Sequence, residues 1–294
     1  MAVDLQQINV FVTGVAREAG NMILNARPTT TTTLSKKNSA DIVTETDRAV
    51  ENHIRQRLHG EYPSFKFVGE ESYKAGDSDI TNDPTFVVDP IDGTSNFVHG
   101  FPAVCVSIGL VIDRQPVVGV VYNPFYDEIW SAVKGHGAFT SRGGGLMQRL
   151  PLSSTKIEGL TTACIGIEWG SDREGPNFDL NLAVFTTLAR TESTGGRFVN
   201  SLRCTGSAAI TICRVAAGQQ EAFWECGCWP WDVAAAWCIL TEAGGLMVDG
   251  HPGNWNPEID NRRYLAVRPA EGGQRDFVEA FWAVIREGMT NWEQ

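Results

Sequence analysis

The stretch Asp-Pro-Ile-Asp-Gly-Thr at residues 89–94 places two carboxylates three positions apart, just before a Gly-Thr pair. The Thr-Phe-Val-Val run at 85–88 is β-branched and aromatic and predicts a buried strand. Pro90 lacks an amide hydrogen, so we expect the strand ladder to stop there. Both carboxylates can then turn toward one point, which the free N–H groups of a helix beginning near Gly93 also face. Such hard oxygen ligands favour Mg²⁺ or Mn²⁺ over zinc.

Taken alone, this stretch is also ordinary turn chemistry, because Asp-Pro and Asp-Gly pairs are common in solvated turns. Two other acidic positions occur in matching contexts. Glu70 follows a strand-like alternation that ends in Gly69. Asp232 opens a strongly helical segment that Gly244 and Gly245 close. Each has a structural reading of its own, and an Asp in a first helical turn is usually a partner of the helix dipole.

The pattern along the chain predicts an α+β first half, residues 1–150, and an α/β second half, residues 151–294. In the first half, helices are predicted over the first 26 residues and over 47–58, and strands over 65–133 with a turn at 123–124. In the second half, strands are predicted near 163–167, 222–224 and 246–248, with helices near 208–217 and 233–243. The Thr29–Thr33 run favours a strand edge or a mobile loop. The Gly-rich and polar stretch 141–155 is the predicted boundary, and metals held on both sides of it would lie in a cleft.

Several motifs together resemble the inositol monophosphatase family of metal-dependent phosphatases. The strongest are G-E-E-S at 69–72, D-P-I-D-G-T-S-N-F at 89–97, and W-D-V-A-A-A with T-E-A-G-G within 231–245. The match extends to D-I-V-T-E-T-D at 41–47, F-P and V-S-I-G within 101–109, and G-S-A-A at 206–209. The resemblance covers about residues 5–270. It implies the family's layered α-β-α-β-α fold, Mg²⁺-dependent and lithium-sensitive hydrolysis of inositol monophosphates, and a homodimer.

The resemblance also implies roles for particular residues. The first metal ion would be held by Glu70, Asp89 and the backbone carbonyl of Ile91, and the second by Asp89, Asp92 and Asp232. A third, weaker Mg²⁺ near Glu70 is expected, and Mn²⁺ is a possible substitute. Glu70 and Thr94 would position and deprotonate the attacking water, and Asp47 would orient the Thr94 hydroxyl.

Substrate contacts follow from the same resemblance. The N–H groups of Gly93 and Thr94, beside Asp92, would cradle the phosphate. Glu225 lies seven residues before Asp232, the spacing at which the family places an acid that binds ring hydroxyls. The alternative for Glu225 is an exposed carboxylate at a strand end. The further candidates on the substrate side are Ser171, Gly206, Ser207 and Ala208, with Lys36 as a weak candidate near the phosphate.

Departures from the commoner family pattern are small. Ser95 and Ser207 stand where Thr is frequent, and Trp229-Pro230-Trp231 forms an unusually bulky approach to Asp232. Two indoles near the pocket would narrow its mouth or stack on a ring, so the substrate range is the property in question.

Three alternatives remain open. One is a relative that cleaves another small ester, such as a sugar phosphate or 3′-phosphoadenosine phosphate, although bulky insertions expected of nucleotidase relatives are not seen. Another is a regulator that binds a metabolite on the same fold without catalysis, which loss of a ligand carboxylate would signal. A Ca²⁺-binding role is remote, because no repeated acidic loop of EF-hand type occurs.

Composition sets the remaining limits. The chain has 294 residues and a net charge of −11 without a basic stripe, which argues against a nucleic-acid surface. An acidic protein repels phosphate unless bound divalent cations reverse the local field. Seven cysteines, an odd number, fit a reducing compartment better than a disulfide scaffold. The longest apolar stretch is too short to span a bilayer, and no leader is recognised, so we expect a soluble cytoplasmic protein.

Overall fold

The computed structural model describes residues 4–26, 34–35, 42–74 and 80–290. Within these ranges the helices are α1 Leu5–Asn25, α2 Glu45–Glu61, α3 Thr94–His99, α4 Pro176–Ala189, α5 Ala208–Ala216, α6 Pro230–Glu242 and α7 Gln274–Thr290. The helices predicted from the sequence near residues 1–26, 47–58, 208–217 and 233–243 are therefore confirmed. The predictions for Thr29–Thr33 and Lys36 fall outside the described residues.

A short pair of strands, β1 Leu34–Ser35 and β2 Ile42–Val43, precedes α2. Seven strands then form the first large sheet, in chain order from β3 to β9. They are β3 Lys66–Gly69, β4 Thr85–Asp92, β5 Cys105–Ile112, β6 Gln115–Asn123, β7 Glu128–Val133, β8 Gly137–Arg142 and β9 Gln148–Arg149. Only β3 and β4 pair in parallel; the other neighbours are antiparallel.

Five strands form the second large sheet, in the order β11-β10-β12-β14-β13. They are β10 Cys164–Ile167, β11 Ser201–Arg203, β12 Ala222–Cys226, β13 Leu246–Asp249 and β14 Arg263–Val267. The strands predicted near 163–167, 222–224 and 246–248 are confirmed. Strand β10 pairs in parallel with β11 and β12, whereas β14 is antiparallel to both of its neighbours. The sheet is therefore mixed.

Three buried clusters show how the layers stack. The first contains residues of α1 and α2 with one face of the seven-stranded sheet. The second contains α5 and α6 between the other face of that sheet and the five-stranded sheet. The third packs α4 and α7 on the outer face of the five-stranded sheet. Both sheets are covered on both faces, and the predicted α-β-α-β-α layering is confirmed.

Helix α6 lies unusually close to the first sheet. A Cβ atom at Gly119 would meet the Ala235 carbonyl oxygen at 2.1 Å, and one at Gly109 would meet Ala234 at 3.0 Å. Glycines in the strands and alanines in the helix therefore allow backbone to approach backbone. This contact fixes the first turn of α6, which carries Asp232, against the sheet that carries Asp89.

The expected strand break at Pro90 is wrong. Strand β4 continues to Asp92, because its pairing with β5 skips Pro90 through a shift in register and resumes at Asp92. Asp89 pairs with Ser107 and Asp92 pairs with Cys105. Between these two pairs, β4 has two residues, 90 and 91, whereas β5 has only one, Val106. This extra residue is a β-bulge, which bends the strand and re-aims its side chains.

All seven cysteines are free thiols. Among the helices of the described residues, none has the length and hydropathy needed to cross a bilayer.

Candidate active site

Strands β3 and β4 bring the first acidic residues together. They run in parallel, and Glu70 directly follows β3, where its amide donates to the Val88 carbonyl at 3.2 Å. Parallel neighbours deliver their carboxyl ends to the same sheet edge, so Glu70 and Asp89 meet there. The Asp89 carboxylate accepts a hydrogen bond from the Ile91 amide at 2.9 Å, which holds the bulge in shape.

The start of α2 brings Asp47 to the same edge. Asp47 closes a capping box with Thr44, whose amide donates to its carboxylate at 2.9 Å. The other Asp47 oxygen lies 3.1 Å from the Thr94 hydroxyl, which is also 3.1 Å from the Ile91 carbonyl oxygen. Thr94 opens α3 after Gly93, whose φ of 94° is left-handed and whose Cβ, if present, would meet the Ala103 carbonyl at 2.6 Å. Only glycine fits that turn.

Asp92 connects the two halves of the chain. Its carboxylate accepts hydrogen bonds from the Ser207 hydroxyl and the Ala209 amide, each at 2.7 Å. Both donors lie at the beginning of α5, where the helix presents its free N–H groups. Asp232 arrives from α6, where its carboxylate accepts from the Trp229 amide at 2.6 Å.

These acids act on one another electrostatically. Burial first, and then the charges of Glu70, Asp92 and Asp232, raise the pKa of Asp89 well above its usual range. Burial and the charges of Glu70 and Asp92 raise the pKa of Asp232 in the same way. Burial also raises the pKa of Asp92 to about 6 and raises that of Asp47. The charges of Glu70, Asp92 and Asp232 act on Asp89 as those of near neighbours do, and Asp232 shares one cavity wall with Glu70 and another with Asp92. The four candidate ligands Glu70, Asp89, Asp92 and Asp232 therefore lie near one another.

The donor set suits a hard divalent cation, although the coordination shell is not formed. Among the described ion pairs, none involves Asp89, Asp92 or Asp232. Buried acids without a basic partner favour either protonation or a bound cation. However, no three His, Cys, Asp or Glu side chains in the described part of the chain are arranged to hold an ion as they stand. One oxygen of each of Asp89, Asp92 and Asp232 accepts hydrogen bonds from N–H or hydroxyl donors.

Two adjoining cavities lie beside the acids, and residues from both 1–150 and 151–294 line each of them. One, of about 450 Å³, is lined by Glu70 from the first half and by Ser171, Glu225 and Asp232 from the second. The other, of about 380 Å³, is lined by Asp92 together with the Gly206, Ser207 and Ala208 loop, and it shares Glu225 and Asp232. Both volumes are typical of small-molecule sites. The buried Asp47, Asp89 and Ile91 line neither cavity.

Glu225 is not the exposed strand-end carboxylate of the alternative reading. It is only 9 % exposed at the end of β12. Burial, and then the charge of Glu168, raise the pKa of Glu225 to about 8.

The two indoles stack on each other. The rings of Trp229 and Trp231 are 5.1 Å apart and nearly parallel, and Tyr73 packs against both. The Arg262 guanidinium lies over the Trp229 ring, with its Cζ atom 3.4 Å from the ring centroid. The aromatic group is therefore a wall of the larger cavity, and Arg262 contributes to its surface.

Glu168 and Asn96 hold a loop of the site and are not among the residues predicted from the sequence. Glu168 is buried and accepts hydrogen bonds from the amides of Thr205 at 2.6 Å and Gly206 at 3.0 Å, which hold the loop before α5. Its signal was available, because it directly follows a buried strand as Glu70 does. Asn96 holds the same loop from the other half by donating to the Thr205 carbonyl at 2.8 Å. The conformation of that loop is set only by folding, so no local pattern identified Asn96.

Comparison with known proteins gives a consistent result. The model of the inositol monophosphatase family matches residues 4–287. Inositol monophosphatase 2 of Saccharomyces cerevisiae is 48 % identical over 255 residues, which cover 84 % of this chain and 83 % of the relative. Inositol monophosphatase 1 of the same yeast is 40 % identical, with 97 % and 98 % covered. SaIMPase-II, solved with inositol monophosphate bound, superposes with a TM-score of 0.72 at 27 % identity, and 97 % of each chain is covered.

Proposed function

This chain belongs to the inositol monophosphatase family and is a phosphoric monoester hydrolase, and from that premise we propose that its acidic cleft hydrolyses myo-inositol monophosphates to inositol and phosphate. The names of the yeast relatives and the ligand bound to SaIMPase-II support this substrate. The observation that carries the proposal is the clustering of Asp89, Asp92 and Asp232, none of which has an ion-pair partner among the described residues. Asp89 and Asp92 are buried, Asp232 is half-buried, and the charge of Asp92 raises the pKa of both Asp89 and Asp232.

We propose Mg²⁺ as the cation, in two or three ions, with Mn²⁺ as a substitute. The ligands of the first ion would be Glu70, Asp89 and the Ile91 carbonyl oxygen, and those of the second Asp89, Asp92 and Asp232. When bound, the ions supply neutralisation of the ester's phosphate charge and acidification of water. Without them the buried acids would repel a phosphate, so substrate binding is expected to require the metal.

The side chains of Thr94 and Asp47 prepare the attacking water. The Thr94 hydroxyl has one hydrogen, which it donates to Asp47 Oδ1 or to the Ile91 carbonyl oxygen, both at 3.1 Å. Its lone pairs then remain to accept a hydrogen bond from water. Glu70 is the proposed base that takes the water's proton. Because the capping box fixes Asp47, the orientation of Thr94 is set before substrate binds.

The ring of the substrate is proposed to lie in the cavities beside the acids. Glu225 and Ser171 line the larger cavity and are the candidates for binding ring hydroxyls. Asp92 and the loop of Gly206, Ser207 and Ala208 line the adjoining cavity. The amides of Gly93 and Thr94 are the candidates for the phosphate oxygens. We further propose a cytoplasmic, lithium-sensitive homodimer.

A phosphate-release assay tests this function. The substrates are inositol 1-phosphate, fructose 1,6-bisphosphate and 3′-phosphoadenosine phosphate, each with Mg²⁺ and with a chelator. We expect the highest kcat/KM for inositol 1-phosphate and no turnover without the metal. Preference for another ester would reassign the substrate within the same family, whereas equal turnover in the chelator would contradict the metal-dependent mechanism.

A further inference from the structure

Arg262 is a basic residue in an otherwise acidic cavity. It lines the larger cavity with Glu70, Asp172, Glu225 and Asp232. It belongs to the turn before β14, a part of the chain to which the sequence assigned no role. Its backbone φ of 67° is in the left-handed region, which is unusual for a residue with a side chain. Such conformations are often retained where a site requires them.

The guanidinium is held rigidly by uncharged partners. Its Nε donates to the Cys228 carbonyl at 2.8 Å, and its Nη2 donates to the Gly227 carbonyl at 2.7 Å. Its plane covers the Trp229 indole at 3.4 Å, which is itself stacked on Trp231. Nη1 makes none of the hydrogen bonds recorded for this side chain. A fixed guanidinium with free N–H donors is a preorganised site for an anion.

The absence of a carboxylate partner distinguishes Arg262 from comparable arginines. Within the described residues, every other arginine that is buried or half-buried forms an ion pair, namely Arg17, Arg114, Arg197, Arg214, Arg263 and Arg268. Arg263, the next residue, pairs with Asp249. Within the described residues, the fold thus pairs its other buried or half-buried arginines with carboxylates and leaves the charge of Arg262 unpaired at the cavity wall.

We propose that Arg262 forms a subsite for a second anionic group, a carboxylate or a phosphate, on the part of the substrate that remains after hydrolysis. The inference rests on the proposed function, since it places the ester phosphate at the acids and the rest of the molecule in the cavity that Arg262 lines. It extends the substrate class from inositol monophosphates to small phosphate monoesters that carry another negative charge.

Matched pairs of esters test this subsite. α-D-Glucuronic acid 1-phosphate differs from α-D-glucose 1-phosphate by one carboxylate, and α-D-glucose 1,6-bisphosphate differs from it by one phosphate. We expect kcat/KM to be at least roughly tenfold higher for one charged ester than for glucose 1-phosphate, as for one charge-assisted contact. The pair that shows the preference identifies the anion. This preference should fall as the salt concentration rises.

Variants of the two adjacent arginines complete the test. Arg262→Gln should abolish the preference ratio, Arg262→Lys should restore part of it, and the control Arg263→Gln should leave it unchanged. A wild-type ratio of one or less, or an unchanged ratio in Arg262→Gln, would overturn the subsite even if that variant folds poorly in other respects. Inositol 1-phosphate is assayed in parallel. Its hydrolysis together with a ratio of one refutes only the subsite, whereas failure to hydrolyse any ester refutes the proposed function and the subsite with it.

Discussion

Buried charge is treated differently in the framework of this protein and in its cleft. In the framework, Arg214 pairs with Glu128 and Arg268 pairs with Glu221, each between elements distant in sequence. In the cleft, Asp89 and Asp92 are buried and Asp232 is half-buried. Each accepts a hydrogen bond, but none forms an ion pair within the described residues, and the charges of Asp92 and Asp232 raise the pKa of Asp89. Paired charges approximately repay their desolvation, whereas unpaired acids raise the free energy of the metal-free protein. The acids of the cleft therefore lack, among the described residues, the compensating positive charges that the framework acids have.

The largest expected effect follows from changing Asp89, the acid on which the other three act. Asp89→Asn should lower kcat/KM by roughly 1,000-fold or more, because the proposed shared metal ligand loses its charge. The same variant should melt at a higher temperature than the wild type in a chelator, since it removes repulsion. Glu221→Gln is the framework control and should melt lower with its activity retained. Wild-type turnover in Asp89→Asn would refute the assignment.

Breaking a framework pair should have the opposite outcome. Glu128→Ala leaves Arg214 half-buried against Trp130 without its carboxylate. We expect a loss of roughly 3 kcal/mol in the free energy of unfolding, measured in urea, with near-normal activity of the folded fraction. The control Glu258→Ala breaks an exposed pair with Arg114 and should cost under about 1 kcal/mol. Equal losses in the two variants would mean that burial does not strengthen the framework pair.

Metal removal should expose the repulsion in the cleft. At about 100 times its Kd, Mg²⁺ should stabilise the fold by roughly 2.7 kcal/mol. Burial raises the pKa of Asp92 from 3.8 to about 6, so folding favours its protonated form. In a chelator, the contribution of Asp92 to the free energy of unfolding should therefore be greatest below pH 3.8. This contribution should decline as the pH rises from 3.8 through about 6. Melting temperatures that rise or stay constant over that range would contradict the unbalanced cluster.

A smaller effect is expected at Glu168, a buried acid that is satisfied by amides instead of by a cation. Glu168→Ala should release the Thr205–Gly206 amides and raise KM by roughly tenfold, with a smaller change in kcat. Glu168→Gln should restore KM, because its amide oxygen accepts the same hydrogen bonds. The exposed Glu158→Ala serves as the control. If Glu168→Gln does not restore the wild-type KM, the negative charge of Glu168 contributes more to substrate binding than its hydrogen-bond geometry does.

The smallest effect concerns Glu225, whose pKa is raised to about 8 by burial and the charge of Glu168. Glu225→Gln should change the preference between inositol 1-phosphate and other esters by more than the roughly threefold change expected in kcat. The preference is measured as a ratio of kcat/KM values at constant Mg²⁺. An unchanged ratio would remove Glu225 from the substrate pocket.

Much of the fold was predictable because its signals are local. The apolar periodicity of α1 and the β-branched run of β4 gave the correct elements, since side-chain spacing follows backbone geometry. The break expected at Pro90 was wrong for a nonlocal reason. Strand β5 supplies a partner on both sides of the bulge, and the pairing of Asp92 with Cys105 continues the ladder beyond the proline.

The identity and local setting of the acids follow from the amino-acid order alone, because a carboxylate after a strand or in a first helical turn is recognisable from adjacent residues. Tertiary structure alone decided their convergence, through glycines at 109 and 119 that let α6 approach the first sheet. It also decided that Arg262 has no ion-pair partner within the described part of the chain, whereas its neighbour Arg263 pairs with Asp249. Two consecutive arginines look alike in a sequence. Their electrostatic roles differ because the charges around them come from strands and turns brought together only by folding.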